Sequence, residues 1–333
     1  MIIAVDAAGG DHAPEAIVKG TCDALKTERD IEKILLVGDE SEISSFIDAE
    51  VRERIEIVHT KNVIEMDEHP ANAYRSKKDA SVVLASRLVK EGKADAIVSA
   101  GSTGAQLVSG LFEIGRIRGI KRPAIAVLLP SLTGPKVLID SGANTEVTPD
   151  ILLQFALMGD AFARIVKPGK QEHRVALVNN GSEETKGTKL LQETYQLLAD
   201  TPQIHFSGNI EGNGILSEDV DVIVCDGFTG NVILKTMEGM GKALFTMLKK
   251  EAHASTRNKI GGYLLKPGLT GIKRMFDSRE VGGSPLLGLQ GVSIVCHGNS
   301  DRVAFANGIR MAENCVKNHL IAEINQRIKE TAK

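Results

Sequence analysis

Six polar, glycine-rich loops hold most of the residues whose types and spacing suit chemistry. The first, DAAGGDH at 6–12, sets Asp6, Gly9, Gly10, Asp11 and His12 ahead of a proline. Gly9 and Gly10 permit backbone conformations closed to other residues and let a ligand approach the main chain. A helix opening at Pro14 then offers unpaired N–H groups at its positive end, so this turn has the construction of an anion site. The second loop, SAGSTGA at 99–105, joins the hydroxyls of Ser99, Ser102 and Thr103 to Gly101 and Gly104 just before a helical pattern. It suits a phosphate or carboxylate cradle, with an ordinary helix cap as the plainer alternative. In NNGSEETKG, at 179–187, Ser182 is placed to cap a helix whose first turn holds Glu183 and Glu184. Lys186 is then either a neutraliser of a bound anion or developing oxyanion, or a surface lysine one turn into that helix.

DSGANTE (140–146), DGFTGN (226–231) and HGNSD (297–301) complete the set. Asp6, Asp11, His12, Asp140, Asp226 and His297 bring acids and imidazoles to the same loops. Carboxylates repel a neighbouring anion unless they are protonated, orient a donor or bind a metal. Asp11 paired with His12 or His297 is a candidate general acid or base, with a structural hydrogen bond as the competing reading. Cys225, at the end of an apolar run, reads as a small core residue more readily than as an acyl-accepting nucleophile. The sequence has no Walker spacing, no G-x-G-x-x-G, no G-x-S-x-G elbow and no metal-ligand spacing, so no cofactor and no metal are expected.

The elements that must position these loops are short apolar runs: KILLVG (33–38), RIEIVH (54–59), DAIVSA (95–100), AIAVLLP (124–130), KVLID (136–140), RVALVN (174–179), DVIVCD (221–226) and VSIVCHG (292–298). Helical patterns alternate with them, as at 79–92, 149–166 and 301–330. The alternation predicts a doubly wound α/β fold, a mostly parallel sheet with helices on both faces. All six polar loops follow the carboxyl end of an apolar run, so in an open parallel sheet they are expected to converge on one edge. One α/β unit is expected over 1–333, with a helical amphipathic excursion at about 235–285.

The chain of 333 residues carries a net charge of −3, with 42% hydrophobic, 25% charged and 4% aromatic residues and no Trp. That balance argues against a nucleic-acid binder, which needs a basic surface or stacking rings. Four widely spaced cysteines suggest neither a disulfide framework nor a zinc site and fit a reducing cytosol. No signal segment or membrane-length apolar run is read.

In order, VDAAGGDHAPEA, SAGSTGA, RPAIAVLLP, DSGAN, NGSEETKG, GNIEG, VCDGFTGNVILKTMEG and GGSPLLGLQGVSIVCHGNS resemble the signatures of the bacterial acyl-ACP:phosphate acyltransferase family, from residue 1 to about 310. Ala8, where the family usually has Met, and Ser102, where Asn is common, are the departures. The resemblance implies a Rossmann-like fold related to isopropylmalate dehydrogenases and phosphotransacetylases. It also implies transfer of a fatty acyl group from acyl carrier protein to inorganic phosphate for phospholipid synthesis, a homodimer, and peripheral attachment to the inner face of the cell membrane, with a downstream glycerol-phosphate acyltransferase as a further partner. On this reading Asp6, Gly9, Gly10, Ser99, Gly101, Ser102, Thr103, Gly104, Asn144, Asp226 and Asn231 surround phosphate. Lys186 or main-chain donors stabilise the oxyanion, His12 or Asp11 sets the protonation of the attacking phosphate, and His297 lies nearby. A dehydrogenase of the related fold and a non-catalytic anion- or acyl-binding protein are the alternatives.

Two basic segments gain meaning from the resemblance. GRIRGIKRP clusters Arg116, Arg118, Lys121 and Arg122, a candidate dock for the acidic surface of acyl carrier protein, or else a solvated loop. Residues 236–275 carry a net +6, leaving −9 for the rest of the chain. With Met240, Leu244, Met247, Leu248, Leu264 and Leu265 they read as an amphipathic element for an anionic bilayer surface, or as a helix packed in a dimer.

Overall fold

The computed structural model describes residues 1–275 and 277–331. Eleven strands form one sheet: β1 (Ile2–Asp6), β2 (Lys33–Gly38), β3 (Ile55–His59), β4 (Ala96–Ser99), β5 (Ala124–Leu129), β6 (Lys136–Ile139), β7 (Arg174–Val178), β8 (His205–Ile210), β9 (Val222–Val224), β10 (Gly283–Leu287) and β11 (Val292–Cys296). Their order across the sheet is β3-β2-β1-β4-β11-β10-β5-β6-β9-β7-β8. The helices are α1 (Glu15–Thr27), α2 (Glu40–Ile43), α3 (Pro70–Ser76), α4 (Ser81–Lys90), α5 (Thr103–Ser109), α6 (Pro149–Val166), α7 (Lys189–Ala199), α8 (Gly227–Ala252), α9 (Thr256–Met275), α10 (Ser278–Val281), α11 (Arg302–Lys317) and α12 (Leu320–Thr331).

The apolar runs become strands because both faces of the sheet are covered. Along β1, Ile3 and Val5 enter a core shared with α1, α6 and α11, whereas Ala4 joins a second core with α4 and α5. Alternate side chains of a strand point to opposite faces, so continuous Val/Ile/Leu runs are what a doubly covered sheet requires. The expected α/β class and mostly parallel sheet are therefore present.

Two strands escaped the sequence pattern. β10 contains Pro285, and β8 contains Gly208, with φ +90°, where the pairing with β7 slips by a residue between Val175 and Leu177. Neither has the β-branched alternation that marks a strand. The helical pattern expected over 301–330 is divided in two, because His319 adopts φ 54° between α11 and α12.

Strand direction divides the sheet into two wings. β3, β2, β1, β4 and β11 run parallel to one another, as do β6, β9, β7 and β8. Between the wings, β11 to β10, β10 to β5 and β5 to β6 are all antiparallel. Three reversals in succession leave the second wing pointing opposite to the first. The carboxyl ends of β1, β4 and β11 thus lie on one edge, here called upper, and those of β6, β9 and β7 on the lower edge.

Candidate functional site

The convergence of six loops on one crevice is not what the fold produces within one chain. Three loops gather at the upper edge and three at the lower, separated by a strand length of roughly 15 Å.

At the upper edge β1 ends in Asp6, buried at 1% exposure, which accepts a hydrogen bond from Ser99 Oγ at 2.6 Å. Ser99 Oγ in turn accepts from the Gly101 amide at 3.0 Å, so the carboxylate ties the first loop to the second. Burial holds the Asp6 carboxyl above its ordinary range, against the opposing hydrogen bond from Ser99. Asp6 thus acts on the loops rather than facing solvent. The Asp11 amide donates to the Gly298 carbonyl at 2.8 Å, which docks the first loop onto the third. Gly10 has φ +112°, a backbone state that requires glycine. Ser102 Oγ caps α5 by accepting from the Ala105 amide at 3.4 Å, which meets the plainer reading of that residue without removing its hydroxyl proton from use. Asp11, His12, Thr103 and His297 are exposed, while Ser102 and Gly104 are half-buried. His297 Nδ1 accepts from the Asn299 amide at 3.3 Å, which leaves Nε2 as the ring nitrogen available to a ligand.

This edge opens into a cavity of about 700 Å³ between α8 and α9, with His297 and Asn299 among its lining. Phe245, Leu248 and Leu269 give it apolar walls, and Lys242, Lys249, Lys266 and Lys273 line it as well. In the sequence the four lysines count toward a basic excess and Leu248 toward an apolar stripe for a bilayer surface or a dimer contact, and none of them marks a cavity. The signal for the cavity was their spacing, since 242 with 249 and 266 with 273 are seven apart and fall on one face of each helix.

At the lower edge the expected ligands are engaged in holding the loops. Asp140 accepts from the amides of Ile125, Gly142 and Ala143 through Oδ1 and from the amide and side chain of Asn144 through Oδ2, at 2.7–3.2 Å. Its burial raises the carboxyl above the ordinary range even so. Asn144 also donates to the Pro123 carbonyl at 2.7 Å. Asp226 caps α8, accepting from the amide and hydroxyl of Thr229 at 2.9 and 2.7 Å. Asn231 is exposed on the first turns of α8, with its amide nitrogen near Gly142.

The expected helix at Ser182 is absent, because α7 begins at Lys189 with Thr188 as its cap. Lys186 therefore sits in the loop itself, its carbonyl held by Asn179 Nδ2 at 3.2 Å and its ammonium 4.0 Å from Glu183. Cys225 is buried, and burial pushes its thiol well above the ordinary value, which fits a core residue.

The basic loop at 115–123 also lies at the lower edge, beside the start of β5. Arg116, Arg118 and Arg122 are exposed, while Lys121 pairs with Asp150 at 2.5 Å. On the hairpin of α8 and α9, Leu244, Met247, Leu264 and Leu265 are more than half exposed and Leu248 somewhat less. Among the described residues no helix is long and apolar enough to cross a membrane.

The two-winged sheet defines the architectural class. A phosphotransacetylase from Staphylococcus aureus superposes with a TM-score of 0.55 at 15% identity, covering 98% of this chain and 94% of that one. A branched-chain phosphotransacylase from Enterococcus faecalis gives 0.57 at 15% identity, covering 95% and 99%. A 4-hydroxythreonine-4-phosphate dehydrogenase from Klebsiella pneumoniae gives 0.55 at 13%, also covering 95% and 99%. At these identities the likeness is one of fold. Sequence carries it further, since the family described as fatty acid synthesis protein matches residues 1–323. Phosphate acyltransferases from Desulfitobacterium hafniense and Heliobacterium modesticaldum are 50% and 51% identical, each match covering 98% of this chain and 98% of the relative. The chain belongs to the phosphate acyltransferase family.

Proposed function

We propose that this protein transfers a fatty acyl group from acyl carrier protein to inorganic phosphate, giving an acyl phosphate for bacterial phospholipid synthesis. The observation that carries the reading is the upper edge, where three docked loops set the hydroxyls of Ser102 and Thr103 and two imidazoles together, with His297 also lining an apolar-walled cavity. The family membership supports it. Phosphate is held by the Gly9–Gly10 turn and by the hydroxyls of Ser102 and Thr103. A phosphate oxygen attacks the thioester carbonyl; the C–O bond forms, the C–S bond breaks and the carrier leaves as its thiolate. His12 or Asp11 takes the proton of the attacking phosphate, and His297 Nε2 donates to the carbonyl oxygen as charge develops there. Holding both reactants at one edge makes the attack effectively intramolecular. A thiolate leaves readily enough that no covalent enzyme intermediate is required. Within a single chain Lys186, Asn144, Asp226 and Asn231 belong to the other edge and take no part in this scheme.

The test is turnover of purified protein with acyl-loaded carrier and phosphate, trapping acyl phosphate as the hydroxamate. Phosphate-dependent hydroxamate is expected; none with a folded protein and an intact donor overturns the reading. In the same assay Arg116→Glu with Arg118→Glu is expected to raise the KM for the carrier about tenfold and leave the KM for phosphate unchanged. Equal effects on both would remove the docking role.

The reading includes a cytoplasmic homodimer, with a solution mass twice the 35.7 kDa of the chain, resting on the membrane through the α8–α9 hairpin. Its basic excess and exposed Leu264 and Leu265, at 72% and 64%, support that contact. Flotation with anionic vesicles is expected, and Leu264→Glu with Leu265→Glu is expected to abolish it; a variant that still floats sinks the membrane contact.

A further inference from the structure

We infer that the cavity between α8 and α9 is the binding site for a long-chain acyl phosphate, with the chain against the apolar walls and the phosphoryl end among the lysines and His297. This deepens the acyltransferase reading and rests on it. The volume of about 700 Å³ lies within the roughly 300–1,000 Å³ typical of small-molecule sites. Phe245 and Leu248 from α8 and Leu269 from α9 line it.

Four ammonium groups line the same space, and among the described residues none of Lys242, Lys249, Lys266 and Lys273 has a carboxylate within ion-pair distance. The two acids that line it are engaged elsewhere, Glu238 with Lys235 at 3.0 Å and Asp277 with Arg279 at 2.6 Å. A purely apolar guest would leave that positive charge unanswered, and a free anion would leave the apolar walls wet. An amphiphile with an anionic end satisfies both. The position settles which amphiphile, because His297 and Asn299 belong at once to the cavity and to the edge where phosphate is proposed to react. The product thus remains in the space beside the reaction.

The experiment measures binding of acyl phosphonates, in which a methylene replaces the bridging oxygen so that no transfer occurs, at concentrations below micelle formation. The intact protein is expected to bind the 16-carbon analogue at least about a hundredfold more tightly than the 4-carbon one. Leu269→Trp, and independently Thr246→Trp from the other wall, fill the cavity and are expected to bring that ratio below about tenfold, with affinity for the 4-carbon analogue unchanged. Having one variant on each helix keeps the test decisive should one of them fold poorly. An unchanged ratio in a folded variant overturns the site. So does a chain-length ratio near one in the intact protein, or a filled variant that loses dimerisation but keeps the ratio, which would make the cavity a contact between copies. Should the intact protein give no phosphate-dependent hydroxamate while the ratio and its collapse are both observed, the acyltransferase reading fails and the amphiphile site stands.

Discussion

Asp221→Asn is expected to destabilise the fold by about 3 kcal/mol at neutral pH, in the range seen when one partner of a buried ion pair is removed. The Asp221 side chain is 2% exposed and accepts from Lys167 Nζ at 2.8 Å, Lys170 Nζ at 2.6 Å and the Arg174 amide at 2.8 Å. It therefore clamps the end of α6 and the following turn to the start of β7, beside its own strand β9. Burial alone would raise the carboxyl, but the two lysines outweigh it and bring it down to about 2 from an ordinary 3.8. The sign follows from that depression. The native state holds the ionised form more strongly than the unfolded chain does, so the stabilisation is present above the unfolded value and is lost as pH falls through the folded one. The shift corresponds to about 2 kcal/mol, of which about half remains at pH 3. Thermal midpoints of the native protein and Asp221→Asn should therefore lie furthest apart near pH 7 and approach each other by pH 3. A gap that stays constant over that range would assign the loss to packing rather than to charge.

Most of the sheet was legible in the sequence because the inner strands are buried on both faces and most of them are unbroken apolar runs, as in KILLVG and AIAVLL. β8 and β10 were not, since an edge strand with a glycine bulge and a strand that begins Gly-Ser-Pro carry no such run. The larger miss was strand direction, which within one chain sets Lys186, Asn144, Asp226 and Asn231 at the opposite edge of the sheet from His12 and His297. The signal was present. Only residues 130–135 separate AIAVLL from KVLI, too few for the crossover of a dozen or more residues that parallel neighbours require, so β5 and β6 had to be antiparallel. Every strand that follows β6 in its wing inherits the reversal. The engagement of the loop residues was likewise not legible. Asp140 and Asp226 look identical to ligands in sequence, whereas in the fold amides and a hydroxyl already occupy them.

Gly9→Ala is expected to lower turnover with phosphate about a hundredfold while leaving the chain folded. A Cβ at this position would lie 2.6 Å from Asp6 Oδ2 and 2.9 Å from both the Cα and the amide nitrogen of Gly101. None of these atoms is free to retreat. The Asp6 oxygen is held by Ser99, whose hydroxyl is also the acceptor for the Gly101 amide, so pushing any one of them moves the first two loops apart. The cost to stability is about 1–3 kcal/mol, the usual range for overpacking, because the two cores beneath the loops are untouched. The cost to chemistry is larger, since displacing a reactant by about 1 Å is enough to lose two orders of magnitude in rate. The decisive comparison sets Gly9→Ala against Gly142→Ala, a loop glycine of the lower edge with φ +147°, where the added carbon comes no closer than 3.2 Å to Asn231. If phosphate reacts at the upper edge, the first variant loses far more of its phosphate-dependent rate than of its melting temperature, and the second does not. Equal loss of rate in both, at matched stability, would mean that the edges act together and that phosphate is not held by the Gly9–Gly10 turn alone.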